Sequence, residues 1–293
     1  MVIDYSVTGK TRLLGLIGNP VEHSISPQLH NSLSKMLGLD LIYVPLRVDK
    51  ENLGTLVKAI KATDFVGFNV TVPYKREIMK FLDDNTKEAI LMGSVNTVKK
   101  IEGRLYGYNT DGEGFLRDFK EAAGTGFKGK KVVMIGAGGA ARPIAVKIAM
   151  EGAEKISLVN RTTQKSVELA EVVNENIAEI VQVYNFEDKT LKLAIEESDI
   201  IINTTSVGMS PDIDNSPIND MTCFNGQIVY DVIYNPTKTK FLADAESRGC
   251  KVINGLGMLF YQGINAYEIW TGVKIPEENL KDIYESFTAI LNV

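Results

Sequence analysis

One segment constrains this chain more than any other. Lys130-Lys131-Val132-Val133-Met134-Ile135 reads as a strand, Gly136-Ala137-Gly138-Gly139-Ala140-Ala141 follows it directly, and helical periodicity runs from about Arg142 to Met150. A G-x-G-x-x-A turn between a strand and a helix is the opening of a dinucleotide-binding βαβ unit. Gly136 permits the tight turn, Gly138 lets the backbone approach a pyrophosphate, and Ala141 lets the helix pack close to its strand. The loop Gly136, Ala137, Gly138, Gly139 and Ala140 is therefore the candidate phosphate cradle, with the positive end of a helix behind it. The alternative is a glycine-rich turn that holds nothing.

The β-α alternation extends around this unit. Strands are expected at Lys131–Ile135, Lys155–Val159, Ile180–Tyr184, Asp199–Asn203, Gln227–Val232 and Lys251–Ile253, with helical stretches between most of them. That rhythm predicts a mainly parallel, doubly wound sheet with helices on both faces. The first third reads as strands Thr11–Gly18, Asp40–Val48 and Phe65–Val72, with helices Pro27–Leu37, Glu51–Thr63 and Lys75–Leu82. Val95–Ile101 and Arg104–Tyr108 flank Glu102-Gly103 as a hairpin. Ser26-Pro27 reads as a helix start, with the hydroxyl as N-cap. From Gly257 onward the chain is helical and is expected to return to the first domain. At roughly 150 residues per domain, 293 residues make two α/β domains. The expected boundaries are 1–111, completed by 257–293, and 112–256.

Composition narrows the chemistry. A net charge of −5 argues against nucleic acid or an anionic membrane surface as partner. Cys223 and Cys250 lie far apart with no C-x-x-C spacing, which argues against a disulfide framework and suits a reducing cytoplasm. His23 and His30 are the only histidines, and their spacing matches no usual ligand pair, so no metal is expected. Proton transfer then falls to Lys, Asp, Glu or Tyr. Asp4, Lys10 and Arg12 precede a short apolar run, Leu13–Ile17, too short for a secretory core. No stretch is apolar for the roughly 18 residues a membrane helix needs. The expectation is a cytoplasmic monomer or homodimer acting on a small molecule.

The cofactor is read at the end of the second Rossmann strand. NAD sites normally place Asp or Glu there to hold the ribose 2′-hydroxyl. This chain has Asn160-Arg161-Thr162 and then Lys165. Arg161 suits a charge-assisted fork to a 2′-phosphate, and Thr162 a hydroxyl bond, so the reading is NADP. Simple solvation of Arg161 and Lys165 at a helix start is the alternative.

Four further motifs carry polar side chains at strand ends and turns. They are Gly18-Asn19-Pro20 leading to His23-Ser24-Ile25-Ser26-Pro27, Asn69-Val70-Thr71-Val72-Pro73-Tyr74-Lys75, Ser94-Val95-Asn96-Thr97, and Asn109-Thr110-Asp111-Gly112. Together with the glycine loop, Asn160-Arg161-Thr162 and Gly257-Met258-Leu259-Phe260-Tyr261-Gln262, they resemble the shikimate dehydrogenase family from about Gly15 to Thr271. The resemblance implies an N-terminal α/β substrate domain completed by C-terminal helices, a Rossmann domain, and an active site in the cleft between them. It implies NADPH-dependent reduction of 3-dehydroshikimate to shikimate, on the route through chorismate to aromatic amino acids.

It also implies roles for particular residues. Lys75 and Asp111 carry the chemistry: the ammonium supplies a proton or positive charge to the developing oxyanion, and the carboxylate orients it. Ser24 and Ser26 take the substrate carboxylate, though helix capping alone would explain Ser26. Asn69, Thr71, Asn96 and Gln262 suit a ring with several hydroxyls, and Tyr234 lies near the substrate. Thr204, in Asn203-Thr204-Thr205-Ser206-Val207-Gly208-Met209, lines the nicotinamide side. Val232, Gly255, Met258 and the backbone of Gly257 belong there too, with core filling as the alternative for Met258. Bland readings remain for Lys75, as a solvated helix residue, and for Asp111, as a helix cap.

Two departures leave rivals open. Lys165 stands where many NADP-specific members carry a second arginine. Gly107-Tyr108-Asn109 and Trp270-Thr271-Gly272 resemble the quinate/shikimate branch, with dual substrate and NAD/NADP use. A non-catalytic NADP-sensing protein would need neither Lys75 nor Asp111. Another two-domain NADP dehydrogenase would need a different first-domain constellation.

Overall fold

The computed structural model describes residues 7–291, so Asp4 lies outside the described residues. The chain divides into two compact units, the first running to Thr110 and resuming at Gly263, the second being Asp111–Gln262.

The first unit begins with β1 (Arg12–Gly18), α1 (Ser26–Met36), β2 (Leu41–Arg47), α2 (Leu53–Lys61) and β3 (Phe65–Val70). It continues with β4 (Asp84–Asn85), α3 (Lys87–Met92), β5 (Thr97–Ile101) and β6 (Arg104–Tyr108). The strands form one six-stranded sheet, ordered β2-β1-β3-β5-β6-β4. β1 pairs parallel with both β2 and β3, whereas β5 is antiparallel to both β3 and β6. β3 is buried at every position, as expected for an apolar run inside a sheet.

Three local expectations differ from the structure. Lys75–Leu82 is not an α-helix: it is a turn followed by a 3₁₀ helix over Glu77–Phe81. The Lys75 carbonyl accepts the Val95 N–H at 2.7 Å, which draws the backbone away from an α-helical ladder. Ser26 does not cap α1, because Ile25 occupies the cap position without a side-chain bond. Glu51–Thr63 opens with a 3₁₀ turn, Lys50–Asn52, before α2 begins.

The second unit contains α4 (Asp111–Ala123), β7 (Lys131–Ile135), α5 (Ala141–Met150), β8 (Lys155–Val159), α6 (Thr163–Asn176) and β9 (Val181–Tyr184). Then follow α7 (Leu191–Glu196), β10 (Ile200–Asn203), β11 (Ile228–Asp231), α8 (Lys240–Ser247) and β12 (Lys251–Ile253). Its sheet is parallel throughout, in the order β12-β11-β10-β7-β8-β9. This is a Rossmann-type, doubly wound sheet. Its strand order reverses between β7 and β10, where such sheets bind ligands beyond the strand carboxyl ends. Val133, Ile135, Val159, Ile201, Val229 and Phe241 share one core cluster. Phe115, Phe119, Phe127 and Tyr230 form another, aromatic one, with centroid separations from 4.3 to 6.2 Å.

The chain passes back to the first unit within α9 (Leu256–Thr271) and ends on α10 (Glu277–Ile290). Trp270 of α9 donates its indole N–H to the Val98 carbonyl at 2.9 Å. It lies so close to β3 that a Cβ on Gly67 would sit 2.4 Å from its ring. Only glycine fits there. Among the described residues, no helix is long and apolar enough to cross a membrane, and no three His, Cys, Asp or Glu side chains group to hold a metal.

Candidate active site

A cavity of about 970 Å³ opens at the carboxyl ends of the Rossmann strands. Gly136, Ala137, Gly138, Gly139, Asn160, Arg161, Thr162, Lys165 and Thr204 all line it. Gly136 has φ +104°, and a Cβ there would sit 2.7 Å from the Thr204 hydroxyl oxygen, so the turn requires glycine. That hydroxyl donates back to the Ile135 carbonyl at 2.8 Å and holds the turn shut. A Cβ on Gly138 or Gly139 meets nothing within 4 Å, so this stretch of backbone stands open to the cavity. An open glycine backbone before the N-terminus of α5 fits a pyrophosphate.

Arg161 and Lys165 are exposed on the cavity wall. Asn160 donates to the Thr162 carbonyl at 2.9 Å, which shapes the loop beneath Arg161. Thr162 occupies the N-cap position of α6 but makes no side-chain cap bond. Two carboxylates also line the cavity, Asp188 and Asp220. Each accepts bonds from a threonine two residues on, Thr190 and Thr222, and those hydroxyls hold both acids below the usual carboxylate range. The strand β8 itself ends without an acid.

Ala140 directly precedes α5, and Val232, Gly255 and Met258 belong to the same unit, but none of the four lines this cavity. Gly255 packs on Val232, where an added Cβ would sit 2.1 Å from the Val232 carbonyl oxygen. Gly257 is crowded by Asp118, and Gly114 by the backbone of Met258 and Gln262. Gln262 is half-buried and donates to the Leu259 carbonyl at 3.0 Å. Tyr234 is half-buried on the turn after β11. Sequence reasoning did not single out Phe186, Asp188, Leu191 and Ser216–Asp220 as lining residues. The signal was topological: Phe186–Leu191 follow β9, and residues after Rossmann strands face the ligand side.

The first unit holds a second polar constellation, internal to its fold. Asn69 is 7% exposed and Asn96 2%. Asn69 Nδ2 donates to the Asn96 carbonyl at 3.0 Å and to the Thr97 hydroxyl at 3.1 Å, and its Oδ1 accepts from the Tyr43 phenol at 2.9 Å. Asn96 Oδ1 accepts the Thr110 N–H at 2.8 Å, and its Nδ2 donates to the Thr110 hydroxyl at 3.0 Å. One network thus joins Tyr43, Asn69 and Asn96. The Ser24 hydroxyl accepts the Ser26 N–H at 3.3 Å. Thr71 is half-buried after β3, its N–H bonded to the Ile17 carbonyl at 2.9 Å.

His30 lies behind this network, stacked 4.5 Å from Tyr43 and edge-on to Trp270 at 5.1 Å. Burial lowers its pKa to about 3, so the imidazole is neutral and takes no part as a cation. Lys75 is half-buried in the first unit, and its backbone is tied by Val95 to the Ser94-Val95-Asn96 motif. Asp111 opens α4 as a buried first-turn carboxylate, the next residue after Thr110.

Known proteins carry the same pattern. A family model described as the shikimate dehydrogenase substrate binding domain matches residues 16–98. Models described as shikimate/quinate 5-dehydrogenase and as the shikimate 5′-dehydrogenase C-terminal domain match 119–224 and 255–282. The chain is 44% identical over 281 residues to shikimate dehydrogenase (NADP(+)) of Alkaliphilus oremlandii, spanning 95% of this chain and 98% of that protein. This chain belongs to the shikimate dehydrogenase family. Its fold matches the shikimate 5-dehydrogenase of Listeria monocytogenes in complex with shikimate and NAD, at a TM-score of 0.91 and 40% identity. That match covers 96% of this chain and 99% of the other. A shikimate dehydrogenase in complex with NADP+ matches at 0.87 and 42% identity, covering 96% and 97%. The shikimate dehydrogenase models meet the two units at their motif-bearing segments: the first spans Ser24 to Asn96, and the second contains the glycine turn and Arg161.

Proposed function

We propose that this chain catalyses the reversible, NADP(H)-dependent reduction of 3-dehydroshikimate to shikimate in aromatic amino acid biosynthesis. One observation carries the reading. The open glycine backbone and the Arg161, Thr162 and Lys165 side chains share a single cavity, at a strand end that lacks the acid an NAD ribose would use. NADPH, when bound, supplies the hydride.

The chain's own residues do the rest in this reading. Gly136, Ala137, Gly138, Gly139 and Ala140 cradle the pyrophosphate. Asn160, Arg161, Thr162 and Lys165 hold the adenosine 2′-phosphate, with Arg161 as the planar fork. Thr204, Val232, Gly255 and Met258 border the nicotinamide. Ser24 and Ser26 bind the substrate carboxylate by hydroxyl donation. Asn69, Thr71, Asn96 and Gln262 bind ring hydroxyls, the two asparagines exchanging internal hydrogen bonds for bonds to substrate. Tyr234 also binds substrate in this reading. Lys75 Nζ gives a proton to the ketone oxygen as the alcohol forms, and takes it back in the reverse direction. Asp111 orients that ammonium and favours its charged form. The residues up to 111, with 257–293, form the substrate-binding domain, and 112–256 the NADP-binding domain.

The proposed setting is the cytoplasm, which two free, buried cysteines suit, with the chain acting as a monomer or homodimer. Purified protein is to be assayed with shikimate and quinate, each with NADP+ and NAD+. Fastest turnover of shikimate with NADP+ is expected. A chain that turns over neither acid is not this enzyme.

A further inference from the structure

Asp231 ends β11, is fully buried, and has no part in the chemistry above. Its hydrogen-bond partners are neutral. The Thr239 hydroxyl donates to Oδ2 at 2.7 Å, while Asn203 Nδ2 and the Ile233 N–H donate to Oδ1 at 3.0 and 3.1 Å. All three are donors, the set an ionised carboxylate requires. A charge held this way, with no cation paired to it among the described residues, is costly to bury and calls for a reason.

Its partners lead to the cavity wall. Asn203 Oδ1 accepts from the Thr205 N–H at 3.0 Å and the Thr205 hydroxyl at 2.7 Å. That hydroxyl in turn accepts the Val207 N–H at 3.1 Å. Thr205 and Val207 both line the cavity. On the other side, the Ile233 carbonyl accepts the Gly255 N–H at 3.1 Å, beside the close Val232–Gly255 contact. Thr239 is itself pinned, because its hydroxyl accepts the Leu242 N–H and caps α8. One carboxylate thus orders the Thr205–Val207 stretch of wall and, apart from it, the contact between Val232–Ile233 and Gly255.

We propose that Asp231 is a positioning residue for the nicotinamide end of the cofactor cavity. It acts through Asn203 on Thr205–Val207 and through Ile233 on Val232 and Gly255. This rests on the cofactor reading above. An asparagine at this position would replace one acceptor by a donor and leave either the Thr239 hydroxyl hydrogen or the N–H donors at Oδ1 without that acceptor.

The test uses two ligands: NADPH, and 2′,5′-ADP, which carries the 2′-phosphate but no nicotinamide. Dissociation constants are measured calorimetrically on the full chain and on Asp231→Asn, Thr239→Val and Thr239→Ser. Asp231→Asn is expected to weaken NADPH by about 10-fold or more, and 2′,5′-ADP by less than about 2-fold. Thr239→Val should show the same selectivity more weakly, and Thr239→Ser should restore native binding. Should Asp231→Asn fail to fold, the Thr239 pair decides. Native NADPH binding in the variants overturns the inference and leaves the cofactor reading standing. Equal loss of both ligands, with a lowered unfolding temperature, also overturns it, since that marks a purely structural role. A native chain that binds neither ligand overturns the cofactor reading and this inference with it.

Discussion

Asn96 and Arg161 are both candidate ligand-binding residues, and their surroundings are opposite. Asn96 is 2% exposed and bonded on both sides to Thr110, so it belongs to the polar core of the first unit. Arg161 stands exposed on a cavity that the open Gly138–Gly139 backbone helps to line. Where function is built from interlocked buried amides, it cannot be changed without disturbing the fold. Where the backbone makes the pocket, side chains are free to set specificity at little cost in stability.

The sharpest way to break that contrast is Lys75→Ala. Lys75 lies in the first unit, yet one of its ties to the fold is a backbone carbonyl that survives the substitution. Turnover should fall by roughly 10²–10⁴-fold, with NADP binding and denaturant midpoint nearly unchanged. Near-normal turnover removes Lys75 from the mechanism. Asn96→Ala is the opposite case. It strands the Thr110 N–H, leaves the Thr110 hydroxyl with only the Thr97 hydroxyl at 3.3 Å, and should lower unfolding free energy by about 2–4 kcal/mol, read by denaturant titration. A stability loss below about 0.5 kcal/mol would erase the contrast.

Asp231 marks where the second unit also uses a buried polar network, and pH exposes it. Burial raises its pKa from 3.8 to about 6, so between those values the folded chain keeps a proton that the unfolded chain has released. Its contribution to stability therefore falls as pH rises through that window. The stability of the native chain relative to Asp231→Asn should decline by about 3 kcal/mol between pH 3.5 and 7. A flat difference would mean that the group titrates normally. The smallest effect is expected at the open wall. Arg161→Ala should raise the KM for NADPH about 10-fold, barely move that for NADH, and change stability by less than about 0.5 kcal/mol. Equal effects on the two cofactors refute the 2′-phosphate assignment.

The Rossmann half was the more legible of the two. Its strands lie within one residue of where the β-α rhythm puts them, because a buried parallel strand is an uninterrupted apolar run with turn residues at its ends. The glycine turn was legible for the same reason: a positive φ at Gly136 and a close approach to Thr204 are demands that only one residue type meets. Reading failed at two helix starts. Ser26-Pro27 is a good capping signal, yet α1 takes Ser26 into its own first turn and leaves Ile25 at the cap position. Lys75–Leu82 has helical periodicity, yet Val95 takes the carbonyl that the helix needs.

The order of strands and helices, the dinucleotide turn and the basic residue after β8 were all written in the chain, because each depends on neighbours within a few positions. Tertiary structure alone chose which amide meets which hydroxyl: Asn69 with Tyr43 and Thr97, Asp231 with Thr239 and Asn203, Gly67 beneath Trp270. A buried polar group must find a partner, but many residues qualify, and only the packed sheet and its helices bring one of them within reach.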